Sequence, residues 1–366
     1  SVLTVGFGGS VGLEGPMIAT GGAVGSNVGR LFNLSYKEIT LLISCACAGV
    51  ISAIFKAPIA GIVFAIEVLM LDLTMYAMLP LLIASATAAL TSYLFLGQNV
   101  LYSFQVVERF QMDQIHLYLL LGVIAGLVSV YFAKVYNYFS EIFEKVDSIW
   151  KRLFVAGGAL SVIIFFLPPL YGEGYEIVNS SLRGDVLALF NGTLYENWQH
   201  SFFLVVLAFV LIIMIKAIAT TLTFAAGGIG GIFAPSLFIG ANLGLLVGLV
   251  LNHLGADVSV TNMALVGMAG VMAGVIHAPL TSIFMIAEIS GGYELFMPLM
   301  LVSTISYATT KYFVSNSVYT IQLAKRGDLM THDKDRNILL LMNVSELIES
   351  NFKTVHPDQT LGDLVK

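Results

Sequence analysis

The stretch "AGVISAIFKAPIAGIVFAIE" (residues 48–67) has a counterpart in "AGVMAGVIHAPLTSIFMIAE" (residues 269–288). Ala48, Gly49, Val50, Ala57, Pro58, Ile62 and Glu67 recur as Ala269, Gly270, Val271, Ala278, Pro279, Ile283 and Glu288. Each copy reads as a small-residue helix, an Ala-Pro turn, and a second helix ending in Glu. A Gly-rich turn closed by proline precedes each copy: "GLEGP" ends at Pro16 and "GGIFAP" at Pro235. Two parts of the chain thus carry one supersecondary unit, with matching cores over about 9–75 and 226–297. Repeats built from interrupted apolar helices point to a transporter-type fold with its site at the repeat interface. The sequence leaves open whether the repeat is inverted or parallel.

Working outward, the 366 residues are 57% hydrophobic and only 11% charged, with a mean hydropathy of +0.88. That leaves too little polar surface to coat a water-soluble globule, so the chain belongs in a bilayer. The expected fold is an all-α membrane protein of about a dozen segments, many tilted or broken. Non-helical backbone at membrane depth must be covered by protein or line a cavity, and 10–30 and 225–248 are such regions. The net charge of −6 gives no hint of nucleic-acid binding. Cys45 and Cys47 lie in an apolar run and read as small packing residues rather than metal ligands. The chain opens inside an apolar Gly-rich run with no basic region or cleavage site, so it is not a signal peptide and reads as lacking upstream helices.

The expected division is a transmembrane domain over 1–324, a charged linker over 325–343, and a soluble segment over 344–366. Lys325, Arg326, Lys334 and Arg336 place that end in the cytoplasm by the positive-inside rule. Residues 141–152 and 171–200 read as polar loops with short helices.

In "GLEGP" and "GGIFAP" glycine frees the backbone and proline suits a helix's first turn. Both read as helix starts inside the membrane, with unpaired N–H groups and a partial positive charge. Two such ends aimed at one spot make an anion site without a full positive charge, which favours release as well as binding. Glu14 places a carboxylate at that spot. Ionised, it can occupy the anion's position; protonated, it swings aside. The plainer alternative is an acidic helix cap.

Together "GLEGP", "GGIFAP", the paired Ala-Pro helices and "SVYTIQLAKRG" (317–327) resemble the CLC chloride channels and chloride/proton exchangers. The resemblance covers roughly residues 5–326; the segment from Val344 is similar to the beginning of a CBS domain. It implies a homodimer with one pore per subunit in a bacterial inner membrane, moving chloride with or without protons. It implies no cofactor, and a nucleotide partner only at a complete CBS domain. Glu14 matches the gating glutamate. The amides of Ile232 and Phe233, flanked by Gly231 and Ala234, match those that hold the central anion, and Tyr319 matches the tyrosine whose hydroxyl contacts it. The backbone from Leu13 through Gly15 to Pro16 lines the outer site. The family's Gly-Ser-Gly-Ile-Pro motif, source of another central ligand, is not in this chain.

Two departures bear on coupling. Leu13 stands where the family has a basic residue, which weakens steering of anions to the mouth. Val68 stands where exchangers carry a second, proton-passing glutamate after Glu67. Glu67 is then the remaining proton-path candidate, although its repeat mate Glu288 argues for a structural role. His277 aligns with Lys56, and both read as membrane-edge polar residues. The leading expectation is a passive or weakly coupled chloride channel gated by Glu14; the alternative is a chloride/proton antiporter with a non-standard inner proton path. An intramembrane enzyme is disfavoured, since no H-E-x-x-H helix occurs and no separable nucleophile and base stand out in the membrane segments.

Overall fold

The computed structural model describes residues 1–71, 74–97, 110–183, 186–190, 193, 195–326, 360 and 362. The linker beyond Arg326 and the CBS-like stretch lie outside the described residues, save Thr360 and Gly362. Contacts divide the chain into Ser1–Gln322 and Leu323–Lys366. The description that follows concerns the first unit.

The helices run α1 (Val2–Gly6), α2 (Glu14–Leu31), α3 (Tyr36–Phe55), α4 (Pro58–Glu67), α5 (Met75–Leu96), α6 (Ile115–Glu144), α7 (Ile149–Arg152) and α8 (Gly158–Phe166). They continue as α9 (Tyr175–Leu182), α10 (Phe202–Ala225), α11 (Phe233–His253), α12 (Val260–Ile276), α13 (Pro279–Ile289), α14 (Phe296–Phe313) and α15 (Ile321–Arg326). Among the described residues no strand forms, and the one isolated β-bridge joins Gly12 to Gly231. The protein is a multi-pass, all-α membrane protein. Among the described residues, six helical stretches are long and apolar enough to cross a membrane, and α4, α12 and α13 are shorter apolar helices.

Local chemistry sets these ends. Ser35 and Glu38 form a reciprocal capping box at the start of α3. Ser259 accepts from the Asn262 N–H at the start of α12. Pro58 and Pro279 open α4 and α13 as first-turn prolines. The turns between the paired helices are alike. Lys56 (φ 54°) and His277 (φ 61°) end α3 and α12 in the left-handed conformation, and Ala57 and Ala278 follow in nearly equal geometry. Lys56 and His277 are therefore turn residues. The Lys56 ammonium also donates to the Gly97 carbonyl and lies over the Tyr93 ring.

The repeat is inverted. The Glu67 carboxylate, at the end of α4, accepts from the N–H groups of Leu280 (3.0 Å) and Thr281 (2.7 Å) at the start of α13. Reciprocally, the Glu288 carboxylate, at the end of α13, accepts from Ile59 (3.0 Å) and Ala60 (2.8 Å) at the start of α4. Each helix caps the other, so the two run antiparallel about a pseudo-twofold axis.

Helix α11 is the hub, with 78% of its apolar window buried, against 22% for α5 and 11% for the α7–α8 stretch. Its contact with α12 is backbone to backbone. A Cβ on Gly244 would lie 2.0 Å from the Met263 carbonyl oxygen, so only glycine permits this approach. The 171–200 region, read as a loop, holds α9 and two 3-10 turns.

Candidate functional site: two helix starts and a buried carboxylate

Helix α2 starts at Glu14 and α11 at Phe233, equivalent positions of the two repeats. The residues before them have matching backbone angles: φ −88°, ψ −15° at Leu13 and φ −93°, ψ −2° at Ile232. No side chain caps either start, so the first-turn N–H groups remain for other partners. The Gly12 N–H donates to the Gly231 carbonyl at 2.9 Å, and the Gly231 N–H to the Gly12 carbonyl at 2.7 Å. This two-way exchange locks the ends together. A Cβ on Gly231 would lie 2.8 Å from the Gly15 nitrogen, so the crossing requires glycine there. Two positive helix ends converge on one point, where they favour an anion.

Glu14 fills that point. It is 2% exposed. One carboxylate oxygen accepts from the Tyr175 hydroxyl. The group lies within reach of its own N–H and that of Ala234 in the first turn of α11. Among the described residues its Oε2 has no hydrogen-bond partner. A buried carboxylate oxygen left in this way is costly. A carboxylate fully engaged at a helix start would leave neither oxygen unpartnered.

Ile232, Phe233 and Ala234 are buried at the start of α11, and the Phe233 ring packs on Phe64 of α4 at 5.9 Å between centroids. The Tyr319 hydroxyl lies near the Ile232 N–H and within electrostatic reach of Glu14, while the residue is 38% exposed. A turn holds it in place: the Thr320 N–H donates to Ser317 Oγ at 3.2 Å, and the Val318 N–H to the Val275 carbonyl of α12 at 3.4 Å. Glu14, Ile232, Phe233, Ala234 and Tyr319, far apart in sequence, therefore meet.

The other expected residues are placed differently. The Leu13 N–H, expected to face an outer anion, donates to Glu173 Oε1 at 3.0 Å. Gly15 makes its close approach to Gly231. Glu67 has its carboxylate on the start of α13, where it also accepts from Thr281 Oγ1 at 2.7 Å. Val68 is the residue that ends α4.

Sequence reasoning missed Tyr175, Glu173 and Lys216. Tyr175 and Glu173 sit in "YGEGYE", which reads as a loop. Lys216, a lone base within the apolar run of α10, carried the same intramembrane-charge signal that singled out Glu14.

Fold and site define a multi-pass membrane protein built on inverted repeats, with a buried carboxylate where two helix starts meet. The voltage gated chloride channel family model matches residues 1–311, and the chain belongs to that CLC family. It is 31% identical over 90% of its length to a Ralstonia nicotianae protein named "Putative chloride channel protein ClcB-like", of which it spans 74%. It is 28% identical over 88% of its length to the H(+)/Cl(−) exchange transporter ClcA of Yersinia pestis, of which it spans 66%, just under two thirds. The crystal structure of a slow cyanobacterial Cl−/H+ antiporter superposes with a TM-score of 0.72 at 22% identity, covering 88% of this chain and 73% of that one; that likeness concerns the fold.

Proposed function

We propose that this protein exchanges chloride for protons across a membrane, with Glu14 as both the gate and the outer proton carrier. The observation that carries this reading is the Glu14 carboxylate, buried at the meeting point of two helix starts with one oxygen unpartnered. A single group that competes with chloride when ionised and departs when protonated links the two ions by occupancy. Chloride takes the amides of Ile232 and Phe233, flanked by Gly231 and Ala234, together with the Tyr319 hydroxyl. Kinship to the Yersinia exchanger supports the coupling. This revises the emphasis of the sequence reading, which put the channel first. The inner proton path does not use Glu67, whose carboxylate is engaged at the start of α13; we assign it to water.

Passive chloride conduction is the second reading. Val68, an isopropyl group that cannot titrate, favours it. The assembly we propose is a homodimer in a bacterial inner membrane, with the C-terminus cytoplasmic and a nucleotide bound only by a complete CBS domain.

The deciding experiment is proton uptake driven by a chloride gradient in liposomes. Uphill proton movement at a fixed ratio to chloride is expected, lost in Glu14→Gln while chloride flux persists. Chloride flux without proton uptake in the wild-type protein selects the channel. Pairing with unchanged pH dependence in Glu14→Gln would return Glu14 to the role of a helix cap.

A further inference from the structure

Glu173 and Lys216 are ionisable groups that the transport reading leaves unused. Lys216 lies within α10 with no exposed surface. Its Nζ donates to the carbonyls of Gly172 at 2.9 Å and Leu170 at 3.3 Å, and stands 4.8 Å from the centroid of the Phe238 ring of α11. An ammonium at this depth demands a counter-charge. Glu173 is within its electrostatic reach.

The loop bearing Glu173 is tied down from both sides. Ser10 Oγ donates to the Leu170 carbonyl at 2.6 Å, and the Tyr171 hydroxyl to the Gly6 carbonyl at 2.5 Å. Held there, the Glu173 carboxylate faces Lys216 of α10 and Glu14 of α2, and accepts the Leu13 N–H at 3.0 Å. That amide opens α2. The two converging helix starts are therefore each met by a carboxylate: α11 by Glu14, α2 by Glu173. In the second case the carboxylate comes from a different segment of the chain, and a buried cation lies within electrostatic reach of it.

We propose that Glu173 is a second anion stand-in, which occupies the Leu13 amide until an entering anion displaces it, with Lys216 as the counter-charge that retains the displaced carboxylate. The proposal rests on the transport reading and deepens it. It also gives a use to the uncharged Leu13: with no cation on that side chain, the nearby positive charge is Lys216, buried on the Gly172 and Leu170 carbonyls beside Glu173. An anion and Glu173 then compete for one N–H group, and the pair holds net charge near zero when no anion is present.

The test is chloride titration calorimetry in a Glu14→Gln background, which frees the seat at α11, with Glu173 as Glu, Gln, Ala or Asp. Glu173→Gln is nearly isosteric and retains a neutral acceptor for the Leu13 N–H, so it keeps the local fold. Removing a competing charge at a hydrogen-bonded amide tightens chloride by about tenfold in Glu173→Gln and at least as much in Glu173→Ala. Glu173→Asp keeps the charge and leaves chloride weak, an outcome a purely structural role does not produce. Equal affinity in all four proteins, with the background itself binding chloride, overturns the proposal and leaves the transport reading standing. Absence of chloride binding in every protein, the Glu14→Gln background included, overturns both.

Discussion

At the scale of single residues, the proposed function makes the site a contest for N–H groups. On that proposal the first-turn amides of α11 are satisfied by the Glu14 carboxylate or by an anion, and the side chain that departs takes its charge with it. Tyr319 is the further donor in this contest, with its hydroxyl beside the Ile232 N–H. A phenol adds a hydrogen bond without adding a charge, so it strengthens the seat without trapping the anion. Tyr319→Phe deletes that donor and leaves the ring. Chloride binding should weaken by about 0.5–1.5 kcal/mol, the net worth of one hydrogen bond. Calorimetry on Tyr319→Phe and Tyr319→Ala checks it, and unchanged affinity in both removes Tyr319 from the site.

At the scale of elements, the seat depends on short helices that cannot shift. α4 and α13 are too short to span a bilayer. Each is capped by the other's terminal glutamate. The Phe64–Phe233 contact then couples α4 to the start of α11. Glu67→Ala leaves two backbone amides and the Thr281 hydroxyl without their acceptor, and Glu288→Ala leaves two amides. Each should cost about 1–3 kcal/mol, and the two should cost alike because the repeat makes their tasks alike. Thermal unfolding in detergent measures this. The Gln variants, which keep an acceptor oxygen, should lose much less, and Glu67→Gln should retain whatever proton uptake the wild-type protein has. A Glu67→Ala melting curve identical to wild type would show that the cap contributes nothing.

At the scale of the whole molecule, the apolar faces of α5 and α14 look outward. Met75, Tyr76, Leu79, Met297, Tyr312 and Phe313 are all exposed. Lipid can cover these faces, and so can a second copy. A homodimer is expected from the CLC kinship, and static light scattering of a monodisperse detergent preparation should give twice the chain mass. A monomeric mass would count against it.

The amino-acid sequence by itself determined that this chain lives in a membrane, because an apolar content of 57% leaves no other home. It also determined that the chain carries two copies of one unit and that helices start at "GLEGP" and "GGIFAP", since local sterics of glycine and proline act through neighbouring residues alone. Tertiary structure decided what depends on direction and on distant partners. Glu67 and Glu288 look alike in the sequence whether the repeat is parallel or inverted; only their crossed hydrogen bonds show antiparallel helices. The sequence favours the Glu14 carboxylate as anion mimic over helix cap, but its unpartnered oxygen and its Tyr175 contact are seen only in the fold. Glu173 and Lys216 are separated by an apparent loop and most of a helix. Their proximity was illegible because electrostatic energy depends on separation in space, and the fold alone brings that loop against α10.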